Sequence, residues 1–404
     1  MRLCRVPRVT GTQVTHDGEG VVEGGFGVHG SLGATTFITE RMTLESSTAG
    51  LRAWVEVDLG ALVRNARAIA AKAGVPLLPI LKADAYGLGV VPVAHALADL
   101  RPWGFGVATV DEGAELRDAG VTGRILVCTP LLPGEFAAAR RARLTPTLSD
   151  HAAIEAWQRQ NGAWHLAVDT GMNRAGVRWD RARTVADVVT ARPPEGVFTH
   201  FHSAEADDGS MAEQDRRFTE ALGALPVRPS LLHADNSAAI VRRDRQPYGL
   251  VRPGVFLYGV ASGSNVLEPE PVVRMRARVL EVRDVAAGET VSYNAMWRAP
   301  GARRIATVAV GYADGYRRQM TDTGRALLRG VETPVAGAVT MDMTMFDVTG
   351  VPCEPGDVMT LLGRDEGRVL TVGDVARDAA LSPYELLTGL RQRLPRVYLD
   401  ESTE

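Results

Sequence analysis

Several things are scarce in this chain. It has three cysteines in 404 residues, Cys4, Cys128 and Cys353. They are too few and too widely spaced for a disulfide framework or a zinc pattern, so no metal centre is expected and a reducing, cytoplasmic compartment fits. No apolar run reaches the roughly 18 residues of a membrane span. Arg2, Arg5 and Arg8 lead into no apolar segment, so a secretory signal is not expected. Charge of one sign is also lacking. A formal net charge of −3 gives no reason to expect nucleic acid or an anionic membrane as partner. Residues 1 to about 50 lack helical periodicity and core-forming side chains, and glycines crowd between Gly18 and Gly33. This stretch reads as a disordered extension, or as a mis-called reading frame with the true start at Met42; the sequence leaves both open.

What is present is ordinary for a globular protein: 45% apolar and 23% charged residues, with length for two domains. From Trp54 onward the pattern becomes strand then helix. Val55–Leu59 alternates, and Leu62, Ala66, Ile69 and Ala70 recur at helical spacing. Strand-like runs follow at 75–81, 105–109, 124–129, 145–148, 165–168, 197–200 and 231–233, with helical runs between several of them. About eight such units in residues 51–272 fit a closed (β/α)8 barrel. An open doubly wound sheet is the alternative, but no GxGxxG turn opens the first unit. Near Pro269 the pattern changes. Residues 273–404 show glycine-rich turns between strand-like runs and only two helical ones, which predicts a mostly-β second domain.

One residue stands out in the barrel. The apolar run from Val75 to Leu81 ends on Lys82, although Pro76 and Pro79 each lack a ladder donor. A lysine closing a buried strand tends to lose its charge, and a neutral amine attacks aldehydes. Taken singly, Lys82 reads more simply as a side chain reaching into solvent. Other polar residues gather at predicted strand ends: Asp169–Arg174, Thr199–His202, His233–Ser237 and Val251–Gly254. Each has an ordinary reading as a cap or surface ion pair. Five such sites on one rim are harder to dismiss, because barrel enzymes place their chemistry at the carboxyl ends of strands. Ser237 and Gly254 with nearby amides suit a phosphate. Lysine, phosphate site and aromatic neighbour together point to pyridoxal 5'-phosphate.

Over residues 53 to 398 the sequence resembles the bacterial alanine racemases, pyridoxal-phosphate enzymes of fold type III. The resemblance rests on Lys82-Ala83-Asp84-Ala85-Tyr86-Gly87, Val168-Asp169-Thr170-Gly171-Met172, Thr199-His200-Phe201, Asn236-Ser237-Ala238-Ala239 and Val251-Arg252-Pro253-Gly254. It continues in family order through Ser292-Tyr293, Gly311-Tyr312-Ala313-Asp314-Gly315, Met341-Asp342-Met343 and Arg393-Leu394-Pro395-Arg396. The resemblance implies a homodimer that interconverts L- and D-alanine for peptidoglycan. It implies that Lys82 carries the cofactor and is one catalytic base, and that Tyr293 of the second subunit is the other. Arg252 would bond the pyridine nitrogen, and His200 would join Arg252 and Tyr293 in a network. Arg174 would reach the phenolic oxygen and contact substrate. Tyr86, Ser237, Gly254 and Val255 would hold the phosphate. Tyr312 would narrow the substrate entrance, and Met341 and Asp342 would come from the partner subunit, with the Met341 amide near the substrate carboxylate.

The chain also departs from the family pattern. Ala167 replaces a lysine that in many relatives becomes carbamylated and supports the active-site arginine, so Arg174 needs another support, such as an anion or Asn173. Ala338 stands where arginine is common, and His202 where a small residue is common. Gln392 is expected at the place of a phosphate-binding tyrosine. The alternatives are a racemase of serine or of broad range, a decarboxylase of the same fold type, and a non-catalytic pyridoxal-phosphate carrier consisting of a barrel alone.

Overall fold

The computed structural model describes residues 44–263 and 267–399. The extension and the candidate start at Met42 lie outside the described residues up to position 43. Residues 44–50, expected without regular structure, begin with a short helix, Leu44–Thr48. Arg278 ties down its end, donating from Nη2 to Thr48 O at 3.2 Å and from Nε to Leu51 O at 3.0 Å.

Eight parallel segments close the barrel. Six are regular strands: Gly104–Val107, Arg124–Pro130, Thr145–Leu148, His165–Asp169, Gly196–Phe198 and Leu231–His233, each paired in parallel with the next. Two short segments complete the ring. Leu77 bridges Val251 on one side, Ile80 bridges Gly106 on the other, and Asn236 bridges Arg252. Leu78 N donates to Val251 O at 2.8 Å, and Leu81 N to Gly106 O at 2.8 Å. Pro76 and Pro79 supply no donor, which keeps this segment short of a regular strand. Their carbonyls still serve the ladder, accepting from Val251 N at 3.2 Å and Gly106 N at 2.9 Å.

The alternating run Ala53–Asp58, expected as the first barrel strand, lies outside the barrel. It pairs antiparallel with the 13-residue strand Val273–Val285 and parallel with Arg396–Leu399. Its buried Glu56 finds its partners there, accepting from Trp54 Nε1 at 2.9 Å and pairing with Arg276 at 3.3 Å. The segment that ends on Lys82 is therefore the first barrel strand, and the eighth runs into Arg252. Asp58 then caps the helix Leu59–Ala73, its Oδ1 accepting from Ala61 N at 2.7 Å, and Gly74 ends that helix at φ 65°.

Val273–Val285 is the spine of the mostly-β C-terminal region. It pairs with Val358–Asp365 and Arg303–Val308 as well as with Ala53–Asp58. Over its first seven residues burial alternates strictly, as expected of a strand with one face on a core. Two helices, Val372–Asp378 and Pro383–Thr388, each open on a capping box, Thr371 with Asp374 and Ser382 with Glu385. The folded C-terminal sheet speaks against a barrel-only carrier. Among the described residues no helix is long and apolar enough to cross a membrane.

Candidate active site

The carbonyl of Ile80 accepts from Tyr258 Oη at 2.8 Å, which fixes the chain just before Lys82. After Lys82 the backbone turns left-handed. Ala83, Asp84, Ala85 and Tyr86 have φ of 55°, 55°, 51° and 58°. Each such residue costs about 1–2 kcal/mol relative to the right-handed region, so four in a row persist only where surrounding contacts hold them. Several do. Asp84 Oδ1 accepts from Val90 N at 2.7 Å. Arg396 donates to Gly87 O from Nε at 3.1 Å and from Nη2 at 2.8 Å. Gly87, at φ 84°, lies so close to the C-terminal region that a Cβ would sit 2.7 Å from Leu387 O.

The turn brings Lys82 and Tyr86 into one cleft of about 550 Å³. The same cleft is lined by Arg174, His200, Ser237, Arg252, Gly254 and Val255. The barrel residues to which the resemblance gives a cofactor role therefore meet in one place.

One end of the cleft suits an anion. Asn236 caps the helix Ser237–Arg242, accepting from Ala239 N at 3.1 Å. Ser237 Oγ accepts from Gly254 N at 2.9 Å and lies 3.4 Å from Phe256 N, which gathers hydroxyl and amides at one point. A Cβ at Gly254 would sit 2.6 Å from Tyr86 Oη, so only glycine lets the phenol approach this backbone. The Tyr86 ring packs on Tyr258 at 4.6 Å, and burial pushes the Tyr86 phenol well above its ordinary pKa. Tyr86 is thus held as a neutral O–H donor.

The other end holds Arg252, which is buried. Its Nη1 donates to His233 Nδ1 at 2.9 Å, and its Nη2 donates to the carbonyls of Thr199 and Ala234, each at 2.8 Å. Nη2 also lies 3.3 Å from His200 Nδ1. Among the described residues its Nε has no hydrogen-bond partner, which leaves one donor of a fixed cation for a ligand in the cleft. Burial lowers the Arg252 pKa to about 10, still a cation near neutrality. Burial and the Arg252 charge together push His200 down to about 3 and His233 well below its ordinary value. With Nδ1 turned to the guanidinium, neutral His200 carries its proton on Nε2.

Arg174 lines the cleft but makes no side-chain hydrogen bond among the described residues. Beside it a cavity of about 50 Å³ is lined by Ala167, Arg174, Cys128 and His200 among others. Asn173 does not support Arg174: its N donates to Asp169 Oδ1 at 3.1 Å and its Nδ2 to Gly171 O at 3.2 Å.

Tyr293, Tyr312, Met341 and Asp342 are not in this cleft. The first three are exposed large side chains of the C-terminal region, Tyr293 most of all at 69%. Their loops are nonetheless built firmly. Tyr312 N donates to Thr340 O and Ala313 N to Met341 O, each at 3.0 Å, which zips their two loops together. Arg393 joins Asp314 and Asp342, both at 2.7 Å. Ser292, at φ 71°, donates from Oγ to Ala338 O at 2.8 Å, so Ala338 anchors the Tyr293 loop through its backbone.

Tyr384 and Cys128 are among the cleft residues that the sequence did not assign to the site. Tyr384, from the helix Pro383–Thr388, lines the cleft with its ring 6.3 Å from that of Tyr86; Gln392, expected at the place of a phosphate-binding tyrosine, does not line it. Cys128 also lines it, a thiol whose pKa burial raises to about 11.

Comparison with known proteins agrees with this geometry. Residues 57–262 match the family model of the alanine racemase N-terminal domain, and residues 272–398 match that of the C-terminal domain. An alanine racemase of Nostoc sp. is 35% identical over 368 residues, which is 86% of this chain and 95% of that protein. The crystal structure of alanine racemase from E. faecalis superposes with a TM-score of 0.81 at 30% identity, covering 86% of this chain and 98% of the other. That from Bartonella henselae, with covalently bound pyridoxal phosphate, gives 0.80 at 28% identity, covering 86% and 99%. The free amine of Lys82, the Ser237–Gly254 cradle and the spare donor of Arg252 are the groups such a cofactor needs. The chain belongs to the alanine racemase family, whose members are pyridoxal-phosphate-dependent isomerases.

Proposed function

We propose that this protein interconverts L- and D-alanine by a two-base mechanism, as a homodimer whose active sites are shared between subunits. The observation that carries this reading is the split of the site. Lys82 lies in the barrel cleft, whereas Tyr293 stands exposed on the C-terminal region outside it.

When bound, pyridoxal phosphate supplies an electron sink that makes the α-proton of an attached amino acid removable. The protein's own groups do the rest. Lys82 holds the cofactor and moves the α-proton at Nζ on one face. Tyr293 Oη of the partner subunit moves a proton on the other face, since inversion needs a base on each side. A tyrosine is a weak base near its free pKa of about 10, so its phenolate needs support. His200 offers it from Nε2–H, because its neutral form is fixed by burial beside Arg252. Arg252, which retains its own proton, would face the pyridine nitrogen and would leave it unprotonated, limiting side reactions. Tyr86, Ser237, Gly254 and Val255 hold the phosphate, joined by Tyr384. Arg174 contacts the cofactor's phenolic oxygen and the substrate. Tyr312 narrows the entrance, and Met341 and Asp342 come from the partner, with the Met341 amide near the substrate carboxylate.

In this reading the product is D-alanine for peptidoglycan, made in the cytoplasm, a setting that suits the free Cys128 and Cys353. A second reading is a broader amino-acid range. The cavity beside Ala167 favours it, because it leaves Arg174 less constrained. Incubation of the cofactor-loaded protein with a panel of L-amino acids, followed by chiral analysis, tests both. Alanine turned over fastest supports the first reading, and serine or a longer residue turned over as fast supports the second. No interconversion of any amino acid contradicts both.

A further inference from the structure

The left-handed turn after Lys82 begins at Ala83, and the contacts described so far grip it only further along, at Asp84 and Gly87. What holds its first residue is a carboxylate from a different part of the barrel. Glu112 Oε1 accepts from Ala83 N at 2.7 Å. Glu112 Oε2 accepts from Ala108 N at 2.7 Å and Thr109 N at 3.3 Å. The residue sits at the third position of the helix Val110–Asp118 and forms a capping box with Thr109, whose Oγ1 accepts from Glu112 N at 3.2 Å.

A capping-box glutamate ordinarily spends its carboxylate on its own helix start. Here one oxygen does that work. The other crosses to the neighbouring barrel unit and bonds the amide next to Lys82. A carboxylate accepting from backbone N–H groups makes strong, directional bonds. The helix at 110–118 is anchored on the strand Gly104–Val107, so it offers a fixed point for a turn that the local backbone disfavours.

We propose that Glu112 is a positioning residue for Lys82. Its carboxylate locks the start of the left-handed turn and thereby sets where the lysine amine and the Tyr86 hydroxyl enter the cleft. This rests on the reading of Lys82 as cofactor anchor and base.

Three measurements separate the possibilities. Glu112→Ala removes both the cap and the bridge, Thr109→Ala removes part of the cap and leaves the bridge, and amide exchange reports on the turn in cofactor-free protein. In Glu112→Ala, kcat for alanine is expected to fall about tenfold or more while KM changes by no more than about twofold. Exchange at Ala83–Tyr86 should quicken by a similar factor. Thr109→Ala should stay near wild type in both. Wild-type kcat and exchange in Glu112→Ala would overturn the proposal, as would Thr109→Ala matching Glu112→Ala. Should Glu112→Ala fail to fold, Glu112→Asp decides in its place: it keeps the charge and shortens the reach to Ala83, so unchanged exchange and kcat there overturn the proposal. The underlying reading is checked apart. Borohydride reduction of wild-type protein mixed with pyridoxal phosphate should label Lys82. If it labels another residue, the role of Lys82 fails, and exchange in the variants still shows whether Glu112 holds the turn.

Discussion

Arg252 Nη1 donates to His233 Nδ1 at 2.9 Å, and that one contact orders a line of protons through the barrel interior. Because His233 accepts at Nδ1, its proton sits on Nε2, from which it donates to His165 Nδ1 at 2.9 Å. His165 Nε2 then lies 3.7 Å from Glu195, which also pairs with Arg124 at 3.2 Å. The guanidinium at the top of the barrel is therefore oriented by groups that reach to its far end. Replacing His233 by Leu should leave a buried Nη1–H without an acceptor, at a cost of about 1–3 kcal/mol in stability. Urea unfolding measures it, and an unchanged midpoint would show that the line does not matter for folding.

The same burial makes stability depend on pH. His165, His200 and His233 are all held neutral by burial, with folded-state pKa values below the ordinary 6.5. As pH falls below about 6.5 the unfolded chain takes up protons that the folded chain refuses, so stability drops. For His200 the loss continues down to about 3, where the folded form also protonates. Unfolding free energy measured from pH 7.5 to 5 should decline with acidification, and His165→Gln should flatten the slope.

Gly254 admits Tyr86 by lacking a side chain. Gly254→Ala places a methyl 2.6 Å from Tyr86 Oη and must displace the phenol. Cofactor affinity, followed by fluorescence titration, should fall about tenfold or more. The double variant with Tyr86→Phe should bind no more weakly than Tyr86→Phe alone, because the clashing oxygen is gone.

Lys82→Ala should abolish racemisation and covalent cofactor attachment together. Tyr293→Phe should lower turnover by about 10²–10⁴-fold, the usual worth of a general acid–base group, while the cofactor remains bound. Isotope exchange at the α-carbon of one enantiomer, retained in Tyr293→Phe as its inversion is lost, would assign the two faces.

Much of the site was legible because a barrel converts strand ends into one rim. Lys82, Arg174, His200, Ser237 and Arg252 each lie at or just beyond the carboxyl end of a barrel strand, and closure brings them together. The strand Ala53–Asp58 was misplaced because alternation reports a half-buried strand and says nothing about its partner. Its pairing to residues 273–277 and 396–399 is set by contacts across more than 200 positions. Tyr384 was missed for a related reason, since its helix belongs to the C-terminal region and only tertiary packing carries the ring to Tyr86. The left-handed run Ala83–Tyr86 contains no glycine or asparagine to announce it. Glu112 stands three residues after Thr109, the spacing of an ordinary capping box, and nothing in that spacing announces the bond to Ala83 N.

The central claim is that Lys82 and Tyr293 act from different subunits. Mixing inactive Lys82→Ala with inactive Tyr293→Phe, under conditions that exchange subunits, tests it most directly. A mixed dimer would contain one site with both residues intact, so the mixture should recover about a quarter of wild-type activity. A mixture that forms mixed dimers and stays inactive would contradict the account.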